Sequence, residues 1–217
     1  GSDASPLKQI YAENPNVVIC NRRNKCGVKT SIRSICPDLY NNFEKKFPAT
    51  REDPNRPAFK YLTEARCIPP EVLDGVRFQY LQKTRKGCGG AVMFFIGMRD
   101  GKEVWNGRIL NPTGKDKSHN IGPTRGMYWQ HPKIQYDPNE PTFVTEGIID
   151  ALSYIALGCQ AVAVLSCGSD PELFVAEFFV KFNNIVFAFD GDEAGKKALK
   201  RWHECFSAAK AREDKSR

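Results

Sequence analysis

The clearest regularity along the chain is the alternation of short apolar runs with longer amphipathic ones from Pro141 onward. TFVTE (142–146) reads as a short strand, GIIDALSYIALG as a helical repeat closed by Gly158, and AVAVL (161–165) as a β-branched strand. PELFVAEFFVKF then reads as a helix started by Pro171, NIVFAF (184–189) as a strand, and EAGKKALKRWHECFSAAKA as a long amphipathic helix. The periods of these runs give β-α-β-α-β-α. Continuous apolar strands separated by helices predict a parallel sheet covered on both faces, with right-handed crossovers. In such sheets the working residues lie beyond the carboxyl ends of the strands. That rule puts Glu146, Asp190 and Asp192 on one edge, with Ser166, Cys167 and Gly168 lining it.

Before Pro141 the pattern changes. FKYLTEARCIPPEVL (59–73) predicts a helix from Tyr61 to Arg66, stopped by Pro69 and Pro70. VRFQYLQK, AVMFFIGMRD and KEVWNGRIL read as strands, the last two joined as a hairpin at Asp100-Gly101. The stretch 111–133, rich in Gly, Pro and Lys, reads as a basic loop region, and the tail 211–217 as a frayed end. The fold class is therefore α/β, a parallel sheet flanked by helices, preceded by a smaller α+β unit.

Charge sharpens this division. Residues 1–140 hold 23 Lys and Arg against 14 Asp and Glu, whereas residues 141–217 hold 9 against 11. A basic first part beside a slightly acidic second part fits a polyanion-binding surface next to a metal-binding site; solvated surface lysines give the same count. No apolar run reaches the roughly 20 residues that span a bilayer, which predicts no membrane partner. Eight cysteines without framework spacing suggest a reducing compartment, the cytoplasm, with unpaired thiols.

The stretch FDGDEAG drives a buried strand into two aspartates, an arrangement that is costly without a cation or donors between the oxygens. Three carboxylates on one sheet edge can coordinate Mg²⁺ together with phosphate oxygens and water. Asp192 also stands where a helix N-cap belongs.

The motifs TEG-x-x-D (145–150) and FDGD-x-AG-x-x-A (189–198) resemble the TOPRIM domain of bacterial-type DNA primases, such as those of phages and mobile elements, which lay RNA primers on single-stranded DNA. Other TOPRIM proteins, among them topoisomerases and OLD-type nucleases, share the Glu and the Asp-x-Asp but usually lack the trailing AG-x-x-A. The resemblance implies that Glu146, Asp190 and Asp192 hold catalytic Mg²⁺ (or Mn²⁺), with Asp150 as a supporting acid. It also implies that Gly147 and Gly191 give the backbone room to turn beneath the ions. Partners implied are a single-stranded DNA template, nucleoside triphosphates and a replicative helicase.

The resemblance extends upstream. GKEVWNGRILNP and KDKSHNIGPTRGMYW are similar to the basic subdomain that precedes TOPRIM in these primases, which implies DNA or nucleotide binding by Arg108, Lys115, Lys117, Asn120 and Arg125. Tyr128 and Trp129 are candidates for stacking on bases and equally for the core. RPAFKYLTEARCIPPEVL resembles the YL-x-x-R linker helix of phage primases. VVICNRRNKCGVKTSIRSICPD resembles the second half of their zinc ribbon, with Cys20 and Cys26 as Zn²⁺ ligands. Their C-x5-C spacing departs from the family's C-x2-C, and four ligands require Cys36 or residues outside this stretch; buried or free thiols are the other reading. The expected domains are a zinc-ribbon remnant and linker at 1–56, a basic α+β subdomain at 57–140 and TOPRIM at 141–217. Such primases carry a further acidic cluster after the last helix, which AREDKSR does not supply, so a truncated TOPRIM is expected. The expected activity is Mg-dependent primer synthesis; a TOPRIM nuclease and a non-catalytic single-stranded-DNA-binding module of a helicase-primase are the alternatives.

Overall fold

A computed structural model of the chain describes residues 8–11, 14–20, 29–31, 43–84, 89–110, 112 and 117–216, and Cys26, Cys36 and Lys115 lie outside them. Three sheets follow one another. The strands β1 (Lys8–Tyr11), β2 (Asn14–Cys20) and β3 (Lys29–Ser31) form a small antiparallel sheet. A short helix α1 (Phe43–Lys46) and helix α2 (Arg56–Lys60) lead into the second sheet, the antiparallel meander β4 (Phe78–Leu81), β5 (Ala91–Arg99), β6 (Lys102–Ile109) and β7 (Ser118–Ile121). Its β5–β6 hairpin turns at Asp100 and Gly101, with φ of 51° and 71°, the left-handed pair that matches strand twist.

The third sheet has the order β11-β9-β10-β8, built from β8 (Trp129–Gln130), β9 (Thr142–Thr145), β10 (Gln160–Ala163) and β11 (Ile185–Ala188). Strands β9, β10 and β11 are parallel, and β8 joins the edge antiparallel to β10. Alternation along these strands sorts side chains to two cores. Ala161 and Ala163 face α3 (Ile148–Ala156), whose Ile148, Ile149, Ala151 and Leu152 are buried there. Val144, Val162 and Val164 face the aromatic side of α4 (Val175–Lys181) and α5 (Glu193–Ser216), where Phe174, Phe178, Trp202 and Phe206 pack. The first core continues into the meander through Val92 and Phe94 and into residues Ala58, Leu62 and Leu73, so one apolar core spans the predicted boundary at residue 140. Both faces of the parallel sheet are covered, as its continuous apolar strands require.

Several local readings change. The linker helix starts at Arg56, not Tyr61, because Pro57 in its first turn has no N–H to leave unpaired, and residues Tyr61–Ala65 widen into a π turn closed by Arg66 N–H to Tyr61 O at 3.1 Å. The segment after Pro171 is a 3₁₀ turn (Pro171–Leu173) followed by α4, separated at Phe174. The stretch read as a basic loop contains β7 and β8, strands of four and two residues, too short to be read from their pattern. The tail expected to fray is helical through Ser216.

Candidate active site

Parallel register sets the site. Thr145 pairs with Ala163 on one side and with Ala188 on the other, so the next residues of all three strands emerge at one edge. Glu146 and Asp190 meet there: a Glu146 carboxylate oxygen accepts the Asp190 N–H at 3.2 Å. Asp150, one helical turn beyond Glu146 on α3, lies beside the Arg66 guanidinium at 3.6 Å. A cavity of about 300 Å³ opens beside these groups, lined by Asp190 and Asp150 together with Arg66, Arg108 and Asn106, while Glu146 and Asp192 do not line it.

Asp192 has a second task. Its Oδ1 accepts the Gly195 N–H at 2.8 Å and its carbonyl accepts the Lys196 N–H at 2.9 Å, so it caps α5, as its place before EAGKKAL allows. Among the described residues no three His, Cys, Asp or Glu side chains converge closely enough to enclose a metal ion. The carboxylates therefore form an open edge and not a closed cage.

Glycines fit this edge unequally. A Cβ on Gly195 would stand 2.0 Å from the Asp190 carbonyl oxygen, so the bare backbone lets α5 approach Asp190. A Cβ on Gly147 would stand 2.7 Å from an Asp150 oxygen. Gly191 has open space around it and an ordinary φ, so the expected need for a glycine there does not hold in this backbone.

Burial, and then the nearby charges of Asp190 and Asp192, push the Glu146 carboxyl above its ordinary value, against the bond it accepts from the Asp190 N–H. Burial likewise raises Asp150, with Arg66 opposing. Cys167 is raised by burial and by Glu146. Leu165, two residues beyond β10, holds φ of 70°, an uncommon conformation for a non-glycine residue, and it lines the same cavity.

The predicted basic residues separate. Arg108 sits opposite Ser118 on the β6–β7 ladder and lines the cavity. It also lines an adjoining cavity of about 510 Å³ together with Arg66, Lys117, Lys46 and Tyr61. Asn120 accepts from the Asn106 Nδ2 at 2.7 Å, which turns the Asn106 amide along the wall. Arg125 is exposed and lines neither cavity, although its carbonyl accepts from Arg99 at 2.7 Å. Trp129 is 3% exposed and belongs to the core, while the half-buried Tyr128 has its hydroxyl engaged by Glu177 at 2.7 Å and by Lys181, whose ammonium also stands 5.1 Å over the Tyr128 ring. Arg66 lines both cavities although sequence reasoning did not single it out; its only sequence signal is its place after Tyr61-Leu62, as YL-x-x-x-R, one residue further on than in the linker-helix motif.

Residues 143–216 match the Toprim-like family. The DNA primase of Legionella pneumophila is 26% identical over 215 residues, an alignment that takes in 91% of this chain and 34% of that protein. The zinc-binding and RNA polymerase domains of the Aquifex aeolicus primase share the fold with a TM-score of 0.53 at 15% identity, over 95% of this chain and 68% of theirs. The catalytic domain of a DnaG primase, solved bound to single-stranded DNA, does so with a TM-score of 0.50 at 18% identity, over 77% of this chain and 67% of its own. The fold is that of primase catalytic cores, as the sequence resemblance implied, and the match to the Toprim-like family covers residues 143–216, about a third of the chain.

Proposed function

We propose that this chain is the catalytic part of a DNA primase, joining nucleotides into short RNA primers on a single-stranded DNA template. The observation that carries this reading is that one cavity is lined both by the carboxylates Asp190 and Asp150 and by Arg66 and Arg108, with Glu146 bonded to the Asp190 N–H beside it. A triphosphate needs both: cationic donors for its oxygens, and carboxylates that hold a bridging cation.

The donor set fits such a cation. Glu146, Asp190 and Asp192 form no ion pair with Lys or Arg among the described residues, and Mg²⁺ takes one or two carboxylates and completes its shell with water and phosphate. Glu146 and Asp190 are the residues to hold Mg²⁺ or Mn²⁺, with the Asp192 oxygen that does not cap α5 next in reach. The chemistry such an ion supplies is activation of a primer 3′-hydroxyl and neutralisation of triphosphate charge. The chain's own side chains do the rest. Arg66 and Arg108 bind phosphate oxygens, the Asp190 N–H orients Glu146, and Asp150 keeps the Arg66 guanidinium at the cavity wall.

Template binding follows the adjoining basic cavity, where Lys46 and Lys117 add charge and Tyr61 an aromatic face. A related catalytic domain solved with single-stranded DNA supports that class of partner. We assign the β1–β3 sheet, with Cys20 at the end of β2, to a zinc-ribbon remnant, residues 57–140 to the basic subdomain and 141–217 to TOPRIM, a division supported by the likeness to a primase that includes a zinc-binding domain. Product analysis tests the reading. With Mg²⁺, ribonucleoside triphosphates and single-stranded DNA, the protein is expected to yield short RNA, whereas shortening of the DNA without triphosphates replaces primase by nuclease.

A further inference from the structure

Helix α1 forms one side of the larger cavity, and little of its own holds it there. Its four residues, Phe43–Lys46, include no buried side chain, and a helix of one turn has no stability apart from its contacts. Two of them, Phe43 and Lys46, nevertheless line the cavity. Between these two stands Glu44, whose Oε1 accepts the Tyr80 hydroxyl at 2.6 Å and the Gly90 N–H at 2.7 Å, donors from β4 and from the residue before β5. The fit at Gly90 is close. A Cβ there would stand 2.0 Å from that oxygen, so the bare backbone admits the carboxylate. Tyr80 also gives its N–H to Asn55 Oδ1 at 2.9 Å, just before α2, so one residue of β4 anchors both helical segments that precede the meander.

The latch reaches the cavity through the neighbours of Glu44. The Phe43 ring meets Tyr61 edge-on, with centroids 5.9 Å apart and planes at 89°, and so braces the aromatic face offered to a template base. Lys46 is exposed, and its ammonium lies 4.0 Å from Glu64, another residue of the lining. We propose that Glu44 is a positioning residue for template binding, latching α1 to β4 and to the start of β5 so that Lys46 and the braced Tyr61 line one cavity. The inference rests on the template reading of this cavity for its consequence and on geometry alone for the latch. A cation already held at its post loses less freedom when a phosphate arrives, which is why a remote anchor affects binding.

The test uses the protein with E44A, E44Q and Y80F, and two readouts. Tryptic cleavage after Lys45 and Lys46, read by mass spectrometry against Lys196 and Lys197 of α5 in the same molecule, is expected to speed up several-fold in E44A as α1 opens. Y80F, which deletes one of the two donors, should give a smaller increase. E44Q should stay near wild type, because its amide oxygen can accept both bonds; it sheds the same charge as E44A and so separates the latch from the charge. The second readout is the salt dependence of single-stranded DNA binding. K46A is expected to flatten the slope of log K against log salt by about 0.7 in the wild type, E44A to flatten it by a similar amount, and K46A added to E44A to change it little further. Unchanged cleavage in E44A and Y80F, or E44Q cleaved as fast as E44A, overturns the latch. Faster cleavage in E44A with the wild-type salt slope overturns its role in template binding. If K46A leaves the wild-type slope unchanged, the template reading of this cavity fails, and with it the consequence for binding, while the cleavage rates still decide the latch.

Discussion

The two walls of the central cavity are built by different means. The acidic wall is fixed by backbone: parallel register brings Glu146 and Asp190 to one edge, an N–H bond joins them, and α5 is seated on Asp190 through a glycine. The basic wall is fixed by side chains, since Arg66 and Arg108 reach the cavity from a π turn and a meander strand on long, jointed stems. Short carboxylates on a rigid edge tolerate little displacement, whereas arginines compensate for one another. Loss of an acid should therefore be nearly all-or-none for chemistry, and loss of a base graded.

The largest expected effect tests that contrast directly. Asp190→Asn should lower primer synthesis by about 10³-fold or more, the scale of removing several kcal/mol of charge stabilisation, while Arg108→Ala should cost far less. Asp190 is exposed and its charge repels Glu146, so the variant should melt no lower than wild type. Comparable losses in the two variants, measured as kcat/KM, would erase the distinction between the walls.

Next in size is Gly195→Ala. Alanine gains up to about 1 kcal/mol of helix propensity over glycine. Against that, its Cβ would stand 2.0 Å from a backbone carbonyl oxygen that cannot swing aside, and overpacking of this kind costs about 1–3 kcal/mol. The steric loss should win, lowering the melting temperature by a few degrees and shifting Asp190 enough to reduce activity. A variant as stable and as active as wild type would mean that α5 does not seat the acidic edge.

The same contrast explains what could be read from the chain. Residues 141–217 were legible because each apolar run has one period and the edge rule then fixes where Glu146 and Asp190 emerge. Asp192 carried two readings, metal ligand and helix cap, and the hydrogen bond from Gly195 shows the second while leaving one oxygen for the first. The basic half was less legible because its site is tertiary. Nothing local marks Arg66 as facing Asp150, 84 positions away, or Arg201 as binding the carbonyls of Cys167 and Ser169. SHNI does not announce a strand, and Trp129 looks alike as core or platform until β8 is seen to pair with β10.

Binding of single-stranded DNA sharpens the basic wall. Each phosphate neutralised contributes a slope of about −0.7 in log K against log salt. Arg108→Ala and Lys117→Ala, which line the adjoining cavity, should each flatten the slope by about 0.7. Arg125→Ala, outside both cavities, should change it less. Equal changes at all three positions would move the template path from the cavity to the wider basic surface.

The smallest effect concerns the acidic wall at rest. Burial and the charges of Asp190 and Asp192 hold the Glu146 carboxyl above its ordinary value of 4.5, so between that value and the raised one the folded chain binds more protons than the unfolded chain. Stability then falls as pH rises through this window, and the cost is complete once Glu146 is ionised. Glu146→Gln has no proton to lose and keeps an oxygen for the Asp190 N–H. Its melting temperature relative to wild type should show no pH-dependent gain well below pH 4.5, climb through the window and level off towards neutrality. Millimolar Mg²⁺ should then raise the wild-type melting temperature at pH 7 and narrow the gap, because a ligand of the ionised site stabilises only the chain that holds it. A difference between the two melting curves that ignores both pH and Mg²⁺ would show that Glu146 is neither strained by its neighbours nor relieved by a cation.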